Sequence, residues 1–321
     1  MKYKAALIGL GQVAYLFDDN KNKLESSLSH FSAYQSNDDV QLVCGYSPLK
    51  TETAKFEDKS GIKATTDFME LLSYKPDIIS ICSPSKNHAQ QIDICIKHST
   101  PMIWLEKPAA QTSDAIINLD KMAKNSESQT TILVNFFRRY HSSYQKLKEL
   151  INSRHFGEVL IANIFYSRGI SNNGIHMLDL IFYLFDDEDY EIIWCDSDSK
   201  DNPSFILELS NKIKIFINGV DSDYHNIDIL ITASEGRMSI LHGGMTTMLE
   251  EKKSHELFPE HSRLAHITNE AIGDGGFNRS FDKALSDLIS SHENSILPNS
   301  NLLSSSKSQK LLEDILSFNK K

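Results

Sequence analysis

Three stretches of this 321-residue chain hold residues whose types and spacing could do chemistry. The first is Glu106-Lys107-Pro108, which ends the apolar run PMIWLE (101–106). A lysine at the tip of a buried strand can hydrogen-bond a substrate hydroxyl and stabilise the alkoxide that develops as hydride leaves. Glu106 can hold that ammonium, and Pro108 can fix the turn, through a cis bond if the backbone requires one. The competing reading is a surface salt bridge capping the helix that starts near residue 112. The second stretch is Gly9-Leu10-Gly11-Gln12-Val13-Ala14. Here the first glycine would make a tight turn and the second would let backbone approach a pyrophosphate. A small residue at the third position keeps helix and strand close, with the helix N-terminus facing the phosphates. A purely structural turn is the alternative. The third stretch runs from Asn172 to Tyr183. A helix opening near Gly174, capped by Asn172 or Asn173, would place His176, Asp179 and Tyr183 on one face. Asp179 could then orient the imidazole, whose ordinary pKa of about 6.5 suits proton transfer near neutrality. A buried histidine bonded within its own domain is the bland alternative. No metal site is expected, because one His and one Asp at this spacing supply too few ligands.

An NAD site usually places a carboxylate after the second strand to hold the ribose. The chain there reads Cys44-Gly45-Tyr46-Ser47-Pro48-Leu49-Lys50, without one. Ser47 could bond a 2′-oxygen and Lys50 a 2′-phosphate, which tilts the expectation from NAD towards NADP; a solvated Lys50 is the alternative. The expected dinucleotide contacts are Gly9, Leu10, Gly11, Gln12, Val13, Ser47 and Lys50. Along the rim of strand ends they continue through Ser83, Pro84, His88, Glu106 and Lys107. Arg138, Arg139 and Arg168 could meet a carboxylate or phosphate on a substrate, or serve as ordinary ion pairs. A polar insertion, YLFDDNKNKLESSLSHF, follows the glycine turn; it could cover the cofactor or lie in solvent, and its His30 could face a cleft.

The elements that must position these residues are legible from periodicity. Apolar runs at 4–10, 40–46, 76–84, 101–106 and 130–136 lack polar alternation, as a parallel sheet covered on both faces requires. Helix-compatible stretches at 51–61, 87–98 and 113–127 separate them. The expected architecture is α/β: an N-terminal doubly wound Rossmann domain over residues 1–135. An α+β domain over 136–321 follows, with a large open, mainly antiparallel sheet. Its strands at YEIIWCD, SFILELS, KIKIFINGV, NIDILITAS and GRMSILHG read as a meander. A net charge of −10 argues against a nucleic-acid partner, and no apolar run approaches the roughly 20 residues needed to span a bilayer. Cys44, Cys82, Cys95 and Cys195 form no C-x-x-C pair, so buried free thiols and a cytoplasmic location are expected.

Taken in order, these motifs resemble the Gfo/Idh/MocA oxidoreductases, named for glucose–fructose oxidoreductase and inositol dehydrogenase. The resemblance rests on the glycine turn, Ser83-Pro84-x-x-x-His88 and Glu106-Lys107-Pro108. It continues through Asn135-Phe136-Phe137-Arg138-Arg139-Tyr140 and His155-Phe156-Gly157-Glu158-Val159, and ends in Asn172-Asn173-Gly174-Ile175-His176-Met177-Leu178-Asp179-Leu180. It implies NAD(P)-linked transfer of hydride to or from a sugar, sugar nucleotide or cyclitol. A role in surface-polysaccharide sugar metabolism and a homodimer or homotetramer formed through the open sheet are further implications. It also implies catalytic roles for Lys107 and His176, the histidine of a D-x-G-x-H-x-x-D pattern in which Gly174 and Asp179 match. Asn172 stands where that pattern has its first aspartate. An amide can orient a hydroxyl but cannot take its proton, which leaves the base role to His176. A rival reading from another class follows from the same departure: a dinucleotide-binding sensor or assembly subunit that kept the fold and lost the chemistry.

Overall fold

The computed structural model describes residues 2–20, 27–127, 129–187, 189–196, 199, 201–268 and 279–318. It divides into two compact units, residues 1–140 with 278–309, and residues 141–277 with 310–321. The first unit thus reaches beyond the expected 1–135 stretch and takes back a piece of the C-terminus.

In the first unit a six-stranded sheet runs in the order β3-β2-β1-β4-β5-β6. The strands are β1 (Tyr3–Ile8), β2 (Val40–Tyr46), β3 (Ala64–Thr65), β4 (Ile78–Ile81), β5 (Met102–Leu105) and β6 (Thr131–Val134). Every pairing in it is parallel. β4 and β5 are buried at every residue, which is why they read as unbroken apolar runs. Helices α1 (His30–Gln35), α2 (Lys50–Ser60), α3 (Phe68–Ser73), α4 (His88–Lys97) and α5 (Ser113–Asn125) connect the strands. The order reverses between β1 and β4, and ligands of such sheets bind outside the strand ends at that point. The helix Ser280–Glu293 packs on α1, β5 and β6. It carries Phe281, Ala284, Leu285 and Leu288 into the core around Trp104 and Leu133.

One expectation fails at the glycine turn. No α-helix opens there. Residues 12–15 form turns and Leu16–Asn20 a 3-10 helix, and α1 begins only at His30 behind an N-capping Ser29. The His30 and Phe31 amides nevertheless donate to the Val13 and Ala14 carbonyls, at 3.2 and 2.9 Å. The first helix is therefore interrupted, with the insertion spliced between its opening turn and its body. Residues 21–26 of that insertion lie outside the described residues.

The second unit is built on an eight-stranded sheet in the order β14-β13-β12-β11-β7-β10-β9-β8. Its strands are β7 (Val159–Ser167), β8 (Tyr190–Cys195), β9 (Phe205–Leu209), β10 (Lys214–Val220), β11 (Asp228–Ala233), β12 (Gly236–Leu241), β13 (Thr246–Ser254) and β14 (Ser262–Thr268). A simple meander was expected; instead β7 is central and splits it, pairing parallel with β10 and antiparallel with β11. Helices α6 (Ser142–Asn152) and α7 (Ile175–Phe185) pack against each other. Ala162, Ile164, Tyr166, Ile215, Ile217, Ile229 and Ile231 are buried, whereas their alternating neighbours, among them Phe216, Asn163 and Leu230, are half-buried. Phe216 pairs with Asn163, and Asn163 with Leu230, so these three form one row across the open face. Among the described residues, no helix is long and apolar enough to cross a membrane.

Candidate functional site

Gly9 ends β1 with φ +85, and its amide donates to the Tyr46 carbonyl at 2.9 Å. A Cβ there would sit 2.6 Å from the Ser83 nitrogen, so β1 and β4 can approach at the switch point only because this residue is glycine. Gly11 differs: its φ is ordinary, and a Cβ would meet nothing within 4 Å among the described residues. Nothing in the fold asks for glycine there, and the open space in front of its backbone suits a pyrophosphate. Of the other expected turn contacts, Leu10 buries its side chain in the core, while Gln12 is exposed and Val13 half-buried. With α1 displaced, the groups that would face the phosphates are backbone amides of a turn rather than a helix N-terminus.

At the end of β2 the sequence reading missed a carboxylate. Ser47 is buried and donates its hydroxyl to Glu52 Oε2 at 2.5 Å. Its side chain is thus committed within the protein rather than presented to a ribose. Glu52 belongs to the first turn of α2, where an acidic side chain suits the helix dipole. It escaped notice because it lies five residues past Ser47, on the next element. Lys50 is exposed at the start of α2.

The rim beyond β4 is held by histidine. His88, buried at the head of α4, sets its ring nitrogens 2.8 Å from the Ser83 carbonyl and 2.9 Å from the Pro108 carbonyl. It braces the two loops to each other and is not available as a ligand contact. Burial holds its pKa below the ordinary value, against the pull of those carbonyls. Ser83 donates its hydroxyl to Gln91 at 2.5 Å, and Pro84 is exposed ahead of the short 3-10 turn Ser85–Asn87.

Glu106-Lys107-Pro108 follows β5, and the Lys107–Pro108 bond is cis. Glu106 does not form a surface salt bridge. His30 Nε2 lies 3.0 Å from its Oε1, and Asn135 donates to the same oxygen at 2.5 Å. Burial opposes ionisation of Glu106, but His30, Asn135 and Lys107 together outweigh it and hold the carboxyl below its ordinary pKa. Lys107 is depressed too, first by burial and then by Arg138, with Glu106 pulling the other way. An ammonium made more acidic in this way, beside a fixed carboxylate, can donate a hydrogen bond or a proton to an oxygen that gains negative charge. Neither His30 nor Asn135 could be assigned this place from spacing, since their partner is 76 and 29 residues away. Arg139 is buried and donates to the Asn299 carbonyl at 2.7 Å, a structural tie rather than a substrate contact. Arg138 lies 4.7 Å from the Phe137 ring centroid.

In the second unit, β7 ends at Arg168 with φ 66, and a π-helical turn Gly169–Gly174 leads into α7. The expected asparagine cap is absent. The N-cap of α7 is Gly174, and Asn172 and Asn173 lie inside the π turn. The packing explains this, because a Cβ on Gly174 would be 3.0 Å from Tyr166 and Ile170. Asn172 is exposed. Asn173 Nδ2 lies 3.2 Å from His225 Nδ1, and Arg168 Nη1 lies 3.3 Å from His225 Nε2, a histidine the sequence did not single out. His176 and Asp179 are buried three residues apart on α7. Tyr183, one turn further, has the Lys148 ammonium 4.5 Å from its ring centroid.

A parallel doubly wound sheet with a glycine turn at its switch point is the layout that dinucleotide-binding folds use. Residues 4–136 match the family described as "Oxidoreductase family, NAD-binding Rossmann fold", Gfo/Idh/MocA. Among curated relatives, an inositol 2-dehydrogenase of Rhodococcus jostii is 29% identical over 124 residues, 35% of this chain and 33% of that protein. A D-glucoside 3-dehydrogenase of Escherichia coli is 24% identical over 202 residues, 56% of this chain and 53% of that protein. The chain therefore spans about a third to a half of the relatives it matches. A solved structure named for an NADPH-dependent oxidoreductase of Desulfitobacterium hafniense superposes with TM-score 0.80 at 15% identity, covering 99% of this chain and 95% of that one. At that identity the likeness concerns the fold.

Proposed function

We propose that this protein is an NAD(P)-linked oxidoreductase that moves hydride between a nicotinamide and a CH–OH carbon of a sugar-like substrate. The observation that carries the reading is the half-buried Glu106–Lys107 step after β5, with Glu106 held by His30 and Asn135. Lys107 donates to the substrate oxygen and stabilises it as an alkoxide. His176 exchanges the hydroxyl proton, and Asn172 orients the hydroxyl through its amide. The dinucleotide, when bound at the glycine turn, supplies the hydride acceptor or donor.

The relatives' names, an inositol and a glucoside dehydrogenase, support a polyhydroxylated ring as substrate. Arg168, exposed beside Asn173 and His225, supports a phosphate-bearing member of that class, such as a sugar nucleotide of surface-polysaccharide metabolism. Glu52 in the first turn of α2 supports NAD over the NADP that Ser47 and Lys50 suggest, because a carboxylate repels a 2′-phosphate. The half-covered face of the eight-stranded sheet supports assembly of copies through that face.

Lys107→Ala tests the assignment against a panel of cyclitols, glycosides and sugar nucleotides, read by nicotinamide absorbance. Turnover is expected to vanish while dinucleotide affinity stays within a few-fold. Full turnover in the variant overturns the role of Lys107. Dinucleotide binding by the native chain with no turnover anywhere in the panel favours the sensor reading.

A further inference from the structure

The insertion after the glycine turn delivers one residue deep into the Rossmann core. His30 is fully buried, its ring 3.9 Å from that of Trp104 between centroids. It stands in a chain of buried polar groups: Tyr34 OH to Ser80 Oγ at 2.5 Å, Ser80 Oγ to His30 Nδ1 at 2.8 Å, His30 Nε2 to Glu106 Oε1 at 3.0 Å. Ser80 is on β4, Tyr34 on α1 and Glu106 beyond β5, so three elements are spent on a single carboxylate oxygen.

One placement of hydrogens satisfies every link in this chain. Tyr34 can donate to Ser80, Ser80 to His30 Nδ1, and His30 Nε2–H to Glu106. Each hydrogen is then used once, and Glu106 Oε1 at the end accepts both His30 and Asn135, an arrangement that favours its ionised form. A buried polar chain satisfied throughout is rigid, and breaking one link strands the rest. The same residue also reaches the cofactor turn, for the His30 amide donates to the Val13 carbonyl.

We propose that His30 is a positioning residue for Lys107: it fixes Glu106 as an anion, and Glu106 in turn holds the neighbouring ammonium protonated. This rests on the reading of Lys107 as the group that meets the substrate oxygen. The titratable and charged groups around the pair are His30 from α1, Cys82 after β4, His88 at the head of α4, Asn135-linked Glu106 itself, and Arg138 beyond Lys107. Of these only Glu106 raises the pKa of Lys107, while burial and Arg138 lower it. When His30 no longer stabilises the anion, Glu106 takes up a proton more readily, its support weakens, and Lys107 loses its proton at lower pH.

The test reads Lys107 directly and needs no substrate. Lysines of the full-length protein are reductively methylated with ¹³C-formaldehyde, and the resonance absent from Lys107→Ala is followed against pH. His30→Leu is expected to lower that midpoint by about one unit, the usual effect of weakening one adjacent opposite charge. His30→Gln, whose amide can donate from the position of Nε2, restores most of the shift. An unchanged midpoint in folded His30→Leu overturns the proposal, and so does a His30→Gln midpoint as low as that of His30→Leu. Should His30→Leu fail to fold, Ser80→Ala breaks the chain one link further out, with a smaller shift in the same direction expected and an unchanged midpoint again overturning the proposal. Turnover by Lys107→Ala would remove the catalytic reading of Lys107 and leave this titration interpretable.

Discussion

The Ser47 hydroxyl donates to Glu52 Oε2 at 2.5 Å, tying the residue that follows β2 to the first turn of α2. Past the end of β2 the protein therefore presents a carboxylate fixed by its neighbour rather than a bare serine. Glu52→Gln removes the charge and keeps the hydrogen bond. The ratio of NADP to NAD affinity is expected to rise about tenfold, roughly 1.4 kcal/mol, as measured by dinucleotide fluorescence titration. A ratio that does not move would return the choice to Lys50.

The two glycines of the turn separate stability from binding. Gly9→Ala forces a Cβ against the Ser83 backbone at positive φ. It is expected to cost about 2–4 kcal/mol, the sum of left-handed strain and overpacking. Gly11→Ala places its methyl in open space. Stability is expected to stay within about 0.5 kcal/mol, as for a surface substitution, while dinucleotide affinity falls tenfold or more. Denaturant unfolding and binding titration on both variants check the contrast.

Glu106 contributes to stability in a pH-dependent way. Its folded pKa is depressed, so the stabilisation is fully present above the ordinary carboxyl pKa and is lost as pH falls through the folded value. Glu106→Gln is expected to cost about 3 kcal/mol at neutral pH, because it leaves buried donors and Lys107 without their anion. The gap between variant and native chain should narrow as the solution is acidified below about pH 4. Urea unfolding at a series of pH values reads it, and a gap independent of pH would show that Glu106 is not held as an anion.

The row Phe216–Asn163–Leu230 on the open sheet face gives a test of assembly. Phe216→Glu puts a charge among half-buried apolar neighbours. If copies pair through this face, association is expected to weaken about a hundredfold or more, as for a desolvated interface anchor. Sedimentation velocity of both proteins reads the change.

The parallel strands were legible because sheets covered on both faces demand unbroken apolar runs, and KAALIGL, PDIISICSP and PMIWLE are such runs. The glycine turn and the lysine rim followed from the strands. Other features were hidden for physical reasons. α1 was displaced because its capping serine comes fifteen residues after Ala14, beyond any local pattern. β13 reads TTMLEEKKS, a charged strand lacking the expected alternation, so the hairpin with β14 was not seen. β3 and α3 are too short to carry a period. His30 and Asn135 act through partners distant in sequence, and burial of a lone polar residue leaves no mark in its neighbours. α7 does open beside Gly174 as expected, but the π turn ahead of it was missed because Asn172 and Asn173 read as caps.

The return of Ser280–Glu293 to the sheet begun at Tyr3 sets an order of events at the ribosome. Trp104 and Leu133 share a core with Phe281, Leu285 and Leu288, so the six-stranded unit keeps an apolar flank uncovered until residues 280–293 have emerged. Domains completed early shield themselves; this one is finished late. A transcript cut short before residue 280 would therefore yield a nascent chain in need of chaperones, rather than an independently folding nucleotide-binding fragment.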